Sequence, residues 1–465
     1  NRAMMRALVF FAVLVVLIAI AAWFAEHPGT VTLRWQGWRV DTSMGVLSLG
    51  VAAVAVIAAL VYRLWGILRR APRRLAEMRE RRRRRRGYTA LTRGMVAVAA
   101  GDPEEARRQA RRADSLLEEL PLTMLLAAQA AQLEGDEAAA RKYFAAMLER
   151  PETEFLGLRG LLLQAGREED SERALRLAHR AYKLKPDTPW VLNSLFDLQI
   201  RKGQWREAQE VVRRAIRRDV IGREQGGRHK AILLHEQSVR AEADGTAEEA
   251  LGLARRAFRA APDMVPVAAR LASLQIRAGK PRDGIKTIEK AWGRAPHPEL
   301  ARLYALAFAE EDGLERVKRF EKLLSLRPDH LESHVALAGA AMEARLWGQA
   351  RTHLEQAQNE LSNNDPPARI YRMMAELEEA EHDDGDAARR WLQRAGVAKP
   401  DEAWVCRDCG AQSVSWTPLC GKCQAFDTLE WRSPSRIGAL VLESAVAGEA
   451  AGQGGGGVDR GKREA

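Results

Sequence analysis

Small residues recur in pairs along most of this 465-residue chain, seven apart and followed five residues later by a helix breaker. Ala139, Ala146 and Pro151 set the pattern. Ala174, Ala181 and Pro186, then Ala250, Ala257 and Pro262, then Ala388, Ala395 and Pro400 repeat it. Gly284, Ala291 and Pro296 put glycine first, and Ala208–Ala215, Ala350–Ala357 and Ala106–Ala113 keep the pair but replace the proline. Near 317 the pattern is degenerate. Most successive first positions lie 33 to 35 residues apart. Two small residues seven apart share one helix face and let a second helix approach closely. Proline then ends the helix, because it lacks an N–H and cannot continue the ladder. The chain is therefore expected to form roughly nine helix pairs that bury their apolar stripes only by stacking. The gap of 42 between Ala208 and Ala250 marks an insertion around 221–228, which holds Gly222, Gly226 and Gly227.

A period near 34 with these small positions resembles the tetratricopeptide repeat, over residues 87–401. The resemblance implies an all-α superhelix whose first helices line a concave surface that takes a peptide or partner protein.

The N-terminal region reads as membrane. Residues 7–25 form an unbroken apolar run and 44–64 a second, each long enough to cross a hydrocarbon core as a helix. Together they predict a transmembrane hairpin over 1–68. A cleaved signal peptide would have a shorter apolar region and a small-residue cleavage site. The formal charge of +11 is local, since residues 63–86 alone carry a net +10. Arg69, Arg70, Arg73, Arg74, Arg81, Arg82, Arg83, Arg84, Arg85 and Arg86 form an arginine-rich juxtamembrane helix over 69–86. Positive charge beside a span stays cytoplasmic, so both ends are expected inside and the loop 26–43 outside. In that loop Val31, Leu33 and Trp35 alternate, and Gln36-Gly37 precedes Trp38 and Val40, which suggests a β-hairpin. The arginines are read as a membrane-surface patch on anionic lipid rather than as a nucleic-acid site.

All four cysteines, Cys406, Cys409, Cys420 and Cys423, lie in one short stretch spaced C-x2-C-x10-C-x2-C. Two such knuckles supply four thiolates for a closed tetrahedral site, which suits structural zinc. Iron takes the same ligands, and disulfides are disfavoured in the cytoplasm. Trp404, Val405, Trp416, Phe426, Leu429 and Trp431 are expected to form a mini-core around the metal in a zinc ribbon over 402–431. The ribbon lacks a basic face, so capping of the last repeat or protein contact is expected of it, not nucleic-acid binding. Residues 432–465 read as a flexible tail.

No phosphate loop or dinucleotide fingerprint occurs, and the chain is read as a non-enzyme. His330 and His334 are expected to open a repeat helix. His229 and His235, near the insertion, are the residues a haem or porphyrin would use, without sequence support beyond their presence.

The two spans, the stretch "YRLWGILRRAPRRLAEMRERRRRRRGY" and the repeat array resemble the HemY-type proteins of Gram-negative bacteria. "WVCRDCG" and "WTPLCGKCQAFDTLEW" are similar to the alphaproteobacterial version. The resemblance implies a bacterial inner-membrane scaffold associated with late haem synthesis, with its repeats and ribbon in the cytoplasm. Its partners would be membrane-associated haem-synthesis enzymes. A repeat array ending in a four-cysteine ribbon is also similar to LapB-type adaptors, which couple a membrane protease to lipopolysaccharide control. Those are expected to have a single span.

Overall fold

The computed structural model describes residues 30–35, 38–117, 121–309, 311–359 and 366–434, with a few positions between 11 and 23. The first predicted span, 7–25, and the tail beyond 434 lie largely or wholly outside the described residues. The chain divides into two compact units, 1–147 and 148–465.

The first unit opens with an antiparallel hairpin. Strand β1 (Thr30–Trp35) pairs with β2 (Trp38–Ser43), in register from Thr30 opposite Ser43 to Trp35 opposite Trp38. Helix α1 (Met44–Ala100) follows at once and runs 57 residues. Its segment Gly45–Trp65 is the one helix among the described residues long and apolar enough to cross a membrane. None of that segment is buried against protein. At 1.5 Å per residue its 21 residues reach about 32 Å, close to the thickness of a hydrocarbon core. Gly101 ends α1 in the left-handed conformation at φ 75°, and its N–H returns to Ala97 and Val98. Helices α2 (Pro103–Leu117), α3 (Pro121–Glu134) and α4 (Glu137–Met147) complete this unit. Ala90, Ala97, Ala106, Ala110 and Ala113 let α1 and α2 pack closely.

The second unit is a run of helix pairs. The leading helices are α5 (Pro151–Arg167), α7 (Pro189–Arg201), α9 (Arg223–Ala243), α11 (Val265–Arg277), α13 (Pro298–Ala307), α15 (Leu331–Glu343) and α17 (Ala368–His382). The trailing helices are α6 (Ser171–Leu184), α8 (Trp205–Arg217), α10 (Ala247–Ala260), α12 (Pro281–Trp292), α14 (Gly313–Leu326), α16 (Trp347–Asn359) and α18 (Gly385–Val397). Ala208, Ala250, Ala257, Ala350 and Ala357 are fully buried in the trailing helices, as the spacing demands. In α4 the stripe is shifted by one residue: Ala140 and Met147 face the core, and Ala139 and Ala146 are only half-buried. The degenerate repeat near 317 is α14, with Val317 in the core.

The insertion is structured. It lengthens α9 to 21 residues, while the neighbouring leading helices α7 and α11 have 13 each. Those extra N-terminal turns carry Arg228 and His229.

After α18 the chain turns back. Lys399 pairs with Pro367, its carbonyl accepts from Ala368 N–H at 2.9 Å, and Asp401 accepts from Arg369 N–H at 2.6 Å. Three short strands close the fold in the order β4-β3-β5: β3 (Ala403–Cys406), β4 (Gln412–Ser413) and β5 (Leu429–Arg432).

Gly284 tests the close-approach rule. A Cβ added there would meet Ile276 Cγ1 at 2.8 Å and the Ala272 carbonyl oxygen at 3.3 Å. Gly284→Ala gains helix propensity of about 1 kcal/mol, but overpacking costs about 1–3 kcal/mol. The variant should therefore be destabilised in chemical denaturation. A rise in stability would mean that the contact is not limiting.

A four-cysteine centre seated on the leading helices

The two knuckles are built alike. Cys406 N–H donates to Ala411 O at 2.8 Å and its carbonyl accepts from Gly410 N–H at 2.9 Å. Cys420 N–H donates to Ala425 O at 2.9 Å and its carbonyl accepts from Gln424 N–H at 2.9 Å. The fifth residue of each turn is left-handed, Gly410 at φ 71° and Gln424 at φ 57°. Glycine takes that conformation freely, and Gln424 holds it at some steric cost.

The turns bring together all four predicted sulfur ligands, whose Sγ atoms lie within 4.8 Å of one another. Cys406 and Cys423 are 3.7 Å apart, Cys409 and Cys420 3.6 Å. A tetrahedral ion with metal–sulfur bonds of about 2.3 Å needs sulfurs about 3.8 Å apart, whereas a disulfide needs about 2.05 Å. Burial opposes ionisation of Cys406, but its hydrogen bond with the Thr428 hydroxyl and those from the Asp408 and Cys409 amides outweigh it and bring the thiol down to about 6. At Cys423 the Ala425 amide pulls the other way, yet burial and the other three sulfurs push the thiol up to about 12. The four sulfurs titrate as one coupled cluster, in which each negative charge opposes the next.

The ribbon core is smaller than the sequence suggests. Trp404, Val405 and Leu429 are buried, as are Cys406 and Cys420, and Trp416 and Trp431 pack around the cysteines. Phe426 leaves this core altogether. It meets Phe196 of α7 at 5.1 Å and His229 of α9 at 5.1 Å, both edge-on.

The expected cap on the last repeat is corrected accordingly: the ribbon lies against the leading helices. Arg228 clasps Asp427 with both carboxylate oxygens, at 2.6 and 2.9 Å. Asp427 is itself left-handed at φ 56°, and its N–H donates to Pro418 O, which fixes the side chain's aim. Trp416 meets His235 of α9, and Trp404 and Trp431 flank His297, the N-cap of α13. Arg369 of α17 reaches buried Glu332 of α15 at 2.5 Å and Glu402 at 3.7 Å. Burial pushes the Glu332 carboxyl up, and Arg369 opposes it. The segment 401–431 thus touches helices from α7 to α17. A cleft of about 500 Å3 remains between ribbon and helices, lined by Trp404, Trp416, Trp431, His235, Arg270, His297 and Arg302 among others.

His229 and His235 therefore pack at the seam. His330 caps α15, accepting from Glu332 N–H, and His334 bonds the Pro328 carbonyl. Sequence reasoning missed Phe196, Arg228, His297 and Asp427; the 42-residue repeat gap was the one signal that pointed to any of them. In the first unit, Arg81 to Arg86 lie on α1, where Arg84 pairs with Glu80 and Arg83 donates to the Ser115 carbonyl. Arg69, Arg70, Arg73 and Arg74 belong to the same helix, with side chains outside the described residues.

Two measurements probe the seam. Arg228→Ala and Asp427→Ala should each destabilise by about 1–3 kcal/mol, and the double variant by less than their sum, in a denaturation cycle. Strict additivity would show that the pair is not coupled. Burial chiefly, with Arg369 nearby, brings the His297 imidazole down to about 4 from 6.5. Between those values the unfolded chain takes a proton that the native chain refuses. Stability should fall as pH drops from 6.5, by up to about 3 kcal/mol, and level off below 4. His297→Asn keeps a capping side chain and should flatten that acid limb. An unchanged limb would assign it to other groups.

Comparison with known proteins agrees with this architecture. Residues 29–135 match the family described as the HemY protein N-terminus, and residues 241–307 match a tetratricopeptide repeat. The "Probable magnetosome protein Mms48" of Magnetospirillum gryphiswaldense is 26% identical over 91% of this chain and 92% of its own. Protein HemY of Escherichia coli K12 is 28% identical over 45% of this chain and 53% of its own, so the match spans about half of that relative. Among solved structures, MamA aligns at TM-score 0.24 and 15% identity, covering 34% of this chain and 92% of its own. At that score it has no bearing on function. The chain is a homologue of HemY and of Mms48, with a HemY-type N-terminal region leading into tetratricopeptide repeats.

Proposed function

We propose that this protein is a non-catalytic, membrane-anchored scaffold that gathers membrane-associated partner proteins on its leading-helix face. The carrying observation is the four-cysteine ribbon seated across those helices. It leaves a cleft that combines three tryptophans with arginine and histidine side chains. Aromatic and arginine side chains are the usual anchors of protein recognition.

In this reading residues 1–68 form the membrane hairpin and 69–86 the helix whose arginines fix topology, those nearest the span, Arg69, Arg70, Arg73 and Arg74, meeting anionic lipid. Residues 87–401 form the array, 402–431 the ribbon and 432–465 the tail. The membrane is the bacterial inner membrane, and the array faces the cytoplasm. The ribbon holds structural zinc through Cys406, Cys409, Cys420 and Cys423, which keeps the tryptophans of the cleft in place. The partners are late haem-synthesis enzymes, supported by the HemY-type N-terminal region. Tethering them raises effective concentration without a catalytic group. The longer match to Mms48 favours a second reading, in which the same surface serves magnetosome proteins.

Affinity purification from mildly solubilised membranes, read by mass spectrometry, separates these readings. Ferrochelatase or porphyrinogen oxidase is the expected catch. Magnetosome proteins would promote the second reading. A membrane protease with lipid A enzymes, and no haem enzymes, would overturn both in favour of a LapB-type adaptor. Cys406→Ser with Cys409→Ser should lose one equivalent of zinc, expose the ribbon to protease and release the partners. Retention of a full equivalent of metal would refute the ligand set, and rubredoxin-like absorbance would identify iron.

A further inference from the structure

We infer that a cleft between α1 and α2 is a binding site for a compact oxyanion carrying two or more phosphate groups. The cleft holds about 340 Å3 and is lined by Arg82, Arg85, Arg86 and Arg93 of α1 and by Arg112 of α2, around Thr89. Its size falls within the range of small-ligand pockets.

The sequence spacing creates it. Arg82, Arg86, Thr89 and Arg93 follow one another at four, three and four residues, and so share a face of α1. The turn at Gly101 folds α2 back along that helix, and buried alanines bring the two backbones close. Arginines from both helices therefore rim one space instead of pointing into separate solvent.

The charge there is unbalanced. Nearby arginines are engaged: Arg83 with the Ser115 carbonyl, Arg84 with Glu80, Arg107 with Glu134 and Arg108 with Glu105. Glu105 also accepts from Gln109. Among the described residues, the five guanidiniums of the cleft have no carboxylate partner. A guanidinium fork matches phosphate oxygens two at a time. One phosphate monoester brings about −1.5 to −2 charges, which neutralises less than half of the five. A diphosphate or larger ligand fits the charge.

The position favours a soluble source. Arg82 to Arg93 lie about 25–42 Å along α1 from Trp65, the end of the apolar segment. The headgroup layer is only about 5–8 Å thick on each side. A lipid phosphate reaches the cleft only if α1 lies down on the surface.

The test uses the full chain in zwitterionic nanodiscs, titrated with inorganic tripolyphosphate at about 150 mM salt. One saturable site per chain is expected. Arg93→Gln and Arg112→Gln, both at exposed positions, should each weaken it by about tenfold or more. Arg84→Gln removes the same charge from the same helix outside the cleft and should change it by less than about threefold. Far-ultraviolet circular dichroism of each variant confirms that the helices remain. Repeating the titration in nanodiscs rich in cardiolipin separates the sources. Undiminished binding assigns the cleft to a soluble ligand, and loss by competition assigns it to a lipid headgroup; either outcome supports the site. Absence of saturable binding overturns the inference. So does equal weakening in all three variants, or tighter binding of a single-stranded RNA with that same equal weakening, because each marks a diffuse polyelectrolyte surface.

Discussion

Four sulfur ligands confined within 4.8 Å of one another set the terms for everything the C-terminal segment does. Their charges oppose one another until a cation joins them. A ribbon of about 30 residues has too little apolar core to hold itself together without such a staple. Its buried apolar side chains are few, Trp404, Val405 and Leu429 beside two of the cysteines. Once the knuckles close, β3 and β5 are fixed in register, and Trp404, Trp431 and Asp427 project toward the repeat. The seam is downstream of the four-cysteine cluster in this physical sense.

The ribbon changes what kind of solenoid this is. Stacked helix pairs touch only their neighbours, so their stability is close to a sum of local terms. Here one segment runs from Arg369 of α17 to Phe196 of α7 and bonds several leading helices on the way. Loosening one pair is then felt by pairs that do not touch it. The buried Glu332–Arg369 contact contributes register more than raw stability, since ion pairs taken out of water barely recover their desolvation cost.

Much of this was legible in the sequence, and the boundary of legibility has a physical cause. The alanine pairs announce the helix pairs because each small residue answers a local steric demand that recurs with every pair. The cysteines announce the cluster because both knuckles solve the same short-range problem. Even so, in α4 the buried stripe runs through Ala140 and Met147, one residue from the expected alanines, because a small residue is tolerated on either side of the stripe. The seating of the ribbon was not legible. Arg228 and Asp427 are 199 residues apart, and no periodicity links them. Only the irregular repeat length hinted that α9 had been extended for a purpose, and it did not say toward what.

Helix α1 has a consequence of its own. It passes from the apolar segment into the first repeat without a break, so the 35 residues from Gly66 to Ala100 act as a shaft about 50 Å long. A shaft transmits angle as well as distance. Inserting or deleting one residue in it would swing the first helix pair about 100° around the axis, whereas a change of seven would nearly restore its heading. The spacing between the apolar segment and the repeat is thus constrained by phase as well as by length, and chain length in this stretch should vary between relatives in steps that preserve it.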